Sequence, residues 1–176
     1  MKGVKGQVWV ETVIYTLIAL VMIGLVLSVA KPKIEEFQDR AVIETSIKII
    51  EQIDLLVKEV EYYKAGNQRL IGIDLKKGTF EIDGINDQII FEMKSRYQYS
   101  EFDTSYTEKG LIINSEKEGE LNTIEIMKNY SGRYNITFQQ KDALKTLSKS
   151  SSQYELIISN RGENDNGRTE INFEVN

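Results

Sequence analysis

The chain of 176 residues contains no cysteine and no histidine. Without thiols there is no disulfide framework and no thiolate metal site. Without imidazole, a Ser-His-Asp triad and most transition-metal sites are excluded. Proline occurs once, at Pro32. Disordered linkers usually carry more of it, so ordered structure is expected along most of the length. Positive charge is in short supply as well: 22 Lys and Arg stand against 27 Asp and Glu, a net charge of −5. No Lys/Arg cluster interrupts the acidic background after residue 70. Nucleic-acid binding draws its affinity from clustered cations, and this composition argues against it.

What the chain does have is one long apolar block near its N-terminus. From Val8 to Ala30 every residue is apolar, small or uncharged polar, with the single exception of Glu11. As a helix rising ~1.5 Å per residue, the block spans about 35 Å, enough for a hydrocarbon core of ~30 Å. Lys2 and Lys5 would serve as the basic region of a secretory signal. The apolar core of such a signal is normally about half this long and ends at a small-residue cleavage site, which Leu27-Ser28-Val29-Ala30 only imitates.

Beyond Lys31-Pro32-Lys33 the sequence stays rich in helix formers. Val42, Ser46, Ile49, Ile53, Leu56 and Val60 step by four and three, and Ile43, Ile50 and Val57 widen the stripe. Asp39, Glu44, Lys48, Glu51 and Lys58 lie mostly off it. This pattern predicts an amphipathic helix with one broad apolar face, bent or locally opened at Pro32 and stopped at Gly66-Asn67. From Val8 to Ala65 it would run on the order of 85 Å. The face is wider than a two-stranded seam needs, so beyond about Ile47 it is expected to lie under a domain of the same chain.

After Gly66 the period changes from helical to two. RLIGIDL and TFEID, separated by KKG, predict a hairpin, and Asp83-Gly84 the next turn. Ile89, Phe91 and Met93 alternate against Ile90, Glu92 and Lys94, and RYQYSEF, GLIINSE, LNTIEIMK, RYNITFQ, YELIISN and TEINFEV follow. Eight or nine short strands predict an antiparallel sheet or sandwich. The Lys/Ser-rich stretch 141–153 is expected to be a loop, with at most one helical turn. The fold class is therefore α+β: a long N-terminal helix, transmembrane and then amphipathic, followed by a β domain.

The start of the chain, MKGVKG-Gln7 followed by an uninterrupted apolar helix, resembles the class III signal peptides of archaeal type IV pilins. The resemblance covers about the first third of the chain. It implies a leader over residues 1–6, a helix over 7–66 whose half at 8–30 serves as membrane segment and then filament core, and an extracellular β domain over 67–176. A prepilin peptidase would cut between Gly6 and Gln7. Glu11 then becomes the fifth mature residue, where many pilins carry a glutamate thought to meet the terminal amine of a neighbouring subunit. An intramembrane carboxylate is in any case a site hypothesis by default, and such pairing would neutralise both charges in the filament core. The partners implied are copies of the chain itself, the peptidase, an assembly ATPase and its membrane platform protein. The product is a cell-surface filament, and no cofactor is implied. The rival reading is an uncleaved single-pass anchor bearing an outward binding or adhesion domain, with Glu11 snorkelling to headgroups near the helix start and the lysines enforcing the positive-inside rule.

Smaller motifs carry their own expectations. Asn129-Tyr130-Ser131 and Asn135-Ile136-Thr137 are N-glycosylation acceptors, in keeping with a surface location. Asn164-Asp165-Asn166-Gly167, with Glu163 and Glu170 nearby, resembles part of a calcium loop. It lacks the full spacing and is better read as a hairpin turn, so no metal site is expected. Tyr97, Tyr99, Phe102 and Tyr106 offer either a sugar-stacking surface or the buried face of a strand. Tyr62 and Tyr63 are expected to pack where the helix meets the domain. No glycosidase-like carboxylate pair can be singled out, and the chain is not expected to be an enzyme.

Overall fold

A computed structural model describes residues 4–102 and 104–176, with side chains from Val8 onward. Among the described residues there is one helix, α1 (Val4–Tyr62), followed by ten strands. The chain divides into two compact units, Met1–Gln38 and Asp39–Asn176. The first is the N-terminal part of α1. The second holds the rest of that helix and all the strands.

Helix α1 continues through Pro32 without interruption. It ends three residues earlier than the expected Ala65, because Lys64 turns into the left-handed region (φ 68°) ahead of Gly66 (φ 89°). Asn67 closes the terminus: its Nδ2 donates to the carbonyls of Tyr63 at 2.6 Å and Lys64 at 3.2 Å, two acceptors with no partner inside the helix.

In the second unit the apolar face of α1 belongs to the domain core. Ile43, Ile50, Ile53, Val57 and Val60 are wholly buried, a spacing of three, four and seven that keeps them on one side of a 3.6-residue period. Val42, Ile49 and Leu56, placed by the sequence in the main stripe, are its half-buried edges. The domain also takes hold earlier than the expected Ile47. Asp39, read as an outward charge, is 3% exposed: it accepts a hydrogen bond from the backbone N–H of Arg96 at 2.7 Å and pairs with Lys77.

The strands form two sheets. A four-stranded sheet has the order β1 (Gln68–Ile73), β9 (Tyr154–Glu163), β10 (Thr169–Val175), β7 (Tyr134–Phe138). A six-stranded sheet has the order β4 (Tyr106–Glu108), β5 (Leu111–Glu118), β6 (Leu121–Asn129), β3 (Gln88–Ser95), β2 (Thr79–Asp83), β8 (Leu144–Ser148). The second is antiparallel throughout, as expected. The first is mixed, because β10 pairs with β7 in parallel. Phe80, Ile82, Ile89, Phe91, Ile113, Ile124 and Ile126 of the larger sheet and Ile136, Leu156, Ile158, Ile171 and Phe173 of the smaller one share a single core with the α1 face. Full burial of such a side chain contributes about 1.5–3 kcal/mol.

Three expectations are corrected here. RLIGIDL and TFEID do not form a hairpin: β1 pairs with β9, and β2 with β3 and β8. The connection between them buries Leu75 and ties Lys77 to Asp39, so the chain crosses from one sheet to the other where a tight turn would have kept it in one. The stretch RYQYSEF is not a strand. β3 ends at Ser95, which is fully buried and whose hydroxyl bonds both the N–H and the carbonyl of Tyr97 at 2.9 Å, turning the chain out of the ladder. The Lys/Ser-rich segment is not only loop. It supplies β8, an edge strand with one buried residue, Leu147, which is too little alternation to register as a strand.

The β2–β3 turn is where Asp83-Gly84 placed it. Asp83 is 6% exposed. Burial disfavours its charge, but donors from the side chain and backbone of Asn86, the backbone of Ile85 and the side chain of Gln88 outweigh that cost and hold its pKa below the ordinary carboxylate range. A depressed pKa stabilises the fold above the unfolded value of ~3.9 and loses that contribution as pH falls through the folded one. Asp83→Asn is therefore expected to cost about 1–2 kcal/mol at pH 7 and clearly less at pH 3. Urea unfolding of both proteins at the two pH values measures this, and an equal cost at both would show that the carboxylate charge is immaterial.

Candidate assembly helix and outer-domain surface

In the first unit α1 presents apolar side chains on every side. Trp9 is 71% exposed, Leu17 62% and Val29 71%, and no residue of the apolar window is buried within the chain. The helix is long and apolar enough to cross a membrane. Its serine and threonine hydroxyls are satisfied internally: Thr12 Oγ1 donates to Val8 O at 2.9 Å, Thr16 to Thr12 O at 2.8 Å and Ser28 to Leu25 O at 2.7 Å. That back-bonding makes a hydroxyl tolerable in an apolar medium. Glu11 has no such recourse. It is exposed and makes no ion pair among the described residues. The Gly6–Gln7 junction falls in the first turns of α1, its side chains lie outside those described, and so does Lys2.

In the second unit the polar groups on α1 anchor it to both sheets. Asp54, 8% exposed, takes Lys58 at 2.7 Å and Lys128 of β6 at 3.3 Å. Glu51 pairs with Lys109 at 2.9 Å, Glu59 with Arg69 at 2.8 Å and Glu61 with Arg133 at 2.8 Å. Asn160 of β9 donates to the Val60 carbonyl at 3.1 Å. Burial, then the Glu61 hydrogen bond, push the Tyr134 phenol upward; burial and the Asp54 charge do the same to Tyr130. These tyrosines are structural acids held neutral, and nothing about them suggests chemistry. Sequence reasoning gave Asp54, Asp39 and their partners no role, since a charge beside an apolar stripe carries no sign of what meets it.

The remaining candidates scatter. Tyr97 and Tyr99 are half-buried, with their rings 6.5 Å apart edge to face; Phe102 is half-buried as well, and Tyr106, in β4, is 48% exposed and lines one surface cavity with Tyr99. Tyr62 and Tyr63 do not pack at the domain boundary; they are 80% and 54% exposed, and Tyr63 lies under the Arg69 guanidinium at 5.5 Å. Asn164–Gly167 is the β9–β10 turn: Asn164 Oδ1 accepts from the N–H groups of Asn166 and Arg168 at 3.1 and 3.0 Å, and Gly167 has φ 72°. Its side-chain oxygen is thus committed to closing the turn. Among the described residues no cluster of carboxylates suits a metal ion. Asn129 is exposed at the end of β6 and Asn135 half-buried in β7. Compared with known protein families, curated proteins and solved structures, the chain shows no match.

Proposed function

We propose that this chain is a structural subunit of a pilus-like surface filament, stored in the membrane, cut between Gly6 and Gln7, and polymerised through its apolar helix. The observation that carries the reading is the exposed apolar stretch of α1 with one carboxylate, Glu11, that has no ion-pair partner among the described residues, joined to a β domain that folds on the later part of the same helix. Apolar surface of that extent needs lipid or protein around it, and other copies of the helix are the protein best matched to it. Glu11 would meet the α-amine created at Gln7 of a neighbouring copy. The peptidase, an assembly ATPase and its platform protein are the partners this scheme requires, and the β domain forms the filament exterior, where it sets adhesion or surface chemistry.

The test is processing. The full chain, co-expressed with an archaeal prepilin peptidase, is expected to yield a mature protein beginning at Gln7 by mass spectrometry, and Gly6→Val is expected to reduce that product at least tenfold. An intact N-terminus under a peptidase that cuts another substrate overturns the reading in favour of the anchored binding domain.

A further inference from the structure

The two sequons are only six residues apart in sequence, yet the fold treats them very differently. Asn129 is the last residue of β6 and is exposed. Its Oδ1 accepts both the N–H of Ser131 at 2.9 Å and the Ser131 hydroxyl at 2.7 Å. This turn sets the amide and the hydroxyl of one sequon side by side on two exposed residues. The turn that follows is open: a Cβ built on Gly132 meets nothing within 4 Å.

Asn135 is enclosed by comparison. It is half-buried in β7, its Oδ1 accepts Arg168 Nη2 at 2.9 Å, and its Nδ2 faces Asp142 at 3.4 Å. The hydroxyl that completes its sequon belongs to Thr137, which is 3% exposed and donates to the fully buried Asn172 at 3.1 Å. An enzyme reading that sequon would have to pull β7 away from β10 and break the Arg168 contacts.

We infer that Asn129 is an N-glycan acceptor of the folded protein and that Asn135 is a structural residue only. The co-reactant is a saccharide linked through phosphate to a membrane lipid. The Asn129 amide nitrogen attacks the anomeric carbon, the N–C bond forms as the C–O bond to phosphate breaks, the lipid phosphate leaves with the electron pair, and one amide proton passes to base. Nothing is oxidised or reduced. The inference rests on the outward placement of the β domain proposed above.

Trypsin separates the two sites, since Lys128, Arg133 and Lys141 put Asn129 on peptide 129–133 and Asn135 on peptide 134–141. The full chain, expressed in an archaeal host that glycosylates a reporter sequon, is expected to carry saccharide mass on peptide 129–133 at more than ten times the occupancy of 134–141. Ser131→Ala should abolish it, and Asn135→Gln should leave it unchanged. Saccharide chiefly on peptide 134–141 overturns the inference. So does a bare Asn129 in cells whose β domain is cut by external protease, which leaves the outward placement standing. If the β domain is shielded from external protease while the reporter is modified, the outward placement and this inference fail together.

Discussion

Glu11→Ala is expected to leave the protein in the membrane while cutting its incorporation into filaments more than about a hundredfold. The two effects have opposite signs because the carboxylate has opposite roles in the two states. In lipid it is a burden: a charge at the centre of a membrane helix costs about 2.5–3.5 kcal/mol on insertion scales, and less near the end, where it reaches headgroups. Alanine removes that cost, so membrane residence should be equal or better. In the proposed filament the carboxylate answers the Gln7 α-amine of the next copy away from water. Deleting one member of such a pair leaves the other charge uncompensated, typically at a cost of 3–5 kcal/mol, and each 1.36 kcal/mol is a factor of ten. Glu11→Gln, which keeps hydrogen-bonding capacity but not charge, should fall between wild type and alanine. The ratio of sheared filament to membrane-retained protein reads this directly. Filaments at normal yield with alanine would refute the pairing while leaving cleavage untouched.

The helix was legible in the sequence because its evidence is local. The apolar block at 8–30, the stripe through Ile43, Ile50 and Val57, and the Gly66-Asn67 stop each lie within a few residues of one another. Strands were legible where alternation was strong, as in Ile89, Phe91 and Met93, and so was the Asn166-Gly167 turn. Their partners were not. β1 finds β9 more than 80 residues away, and β10 adds to β7 in parallel, choices made by the shared core and written in no single segment. The same holds for the buried charges. Asp39 and Lys77 are 38 residues apart, and Asp87 and Arg168 are 81 apart, so each looks like an ordinary surface charge until the fold joins them. Glu11 is the exception. It stands out in the sequence because everything around it is apolar, and among the described residues the fold supplies it no partner.

Asp87→Ala is expected to produce a large loss of domain stability, about 3–5 kcal/mol against a total of ~5–15 for a typical domain. Asp87 lies in the β2–β3 turn, 7% exposed, with φ 55°. Its Oδ1 accepts the N–H of Ile136 at 2.8 Å and its Oδ2 accepts Arg168 Nη1 at 2.6 Å. Arg168 also donates to the carbonyls of Ser131 at 2.9 Å and Tyr134 at 3.1 Å. One carboxylate thus joins a turn of the larger sheet to β7 and to the start of β10 in the smaller one. Alanine removes three things at once: the acceptor for a buried N–H, worth ~1–3 kcal/mol; the counter-charge of Arg168, discounted because that side chain is partly solvated; and the tolerance of Asp for a left-handed backbone. Asp87→Asn keeps the acceptor and the backbone preference and loses only charge, so about 1–2 kcal/mol is expected. Urea unfolding of the full chain in detergent micelles, followed by circular dichroism, should give wild type above Asn above Ala. The double variant Asp87→Ala with Arg168→Met should recover part of the alanine loss, because it no longer strands a cation. Equal stability for Asn and Ala would place the whole effect in the charge, and an alanine variant within 1 kcal/mol of wild type would mean that the two sheets are held together by their apolar core alone.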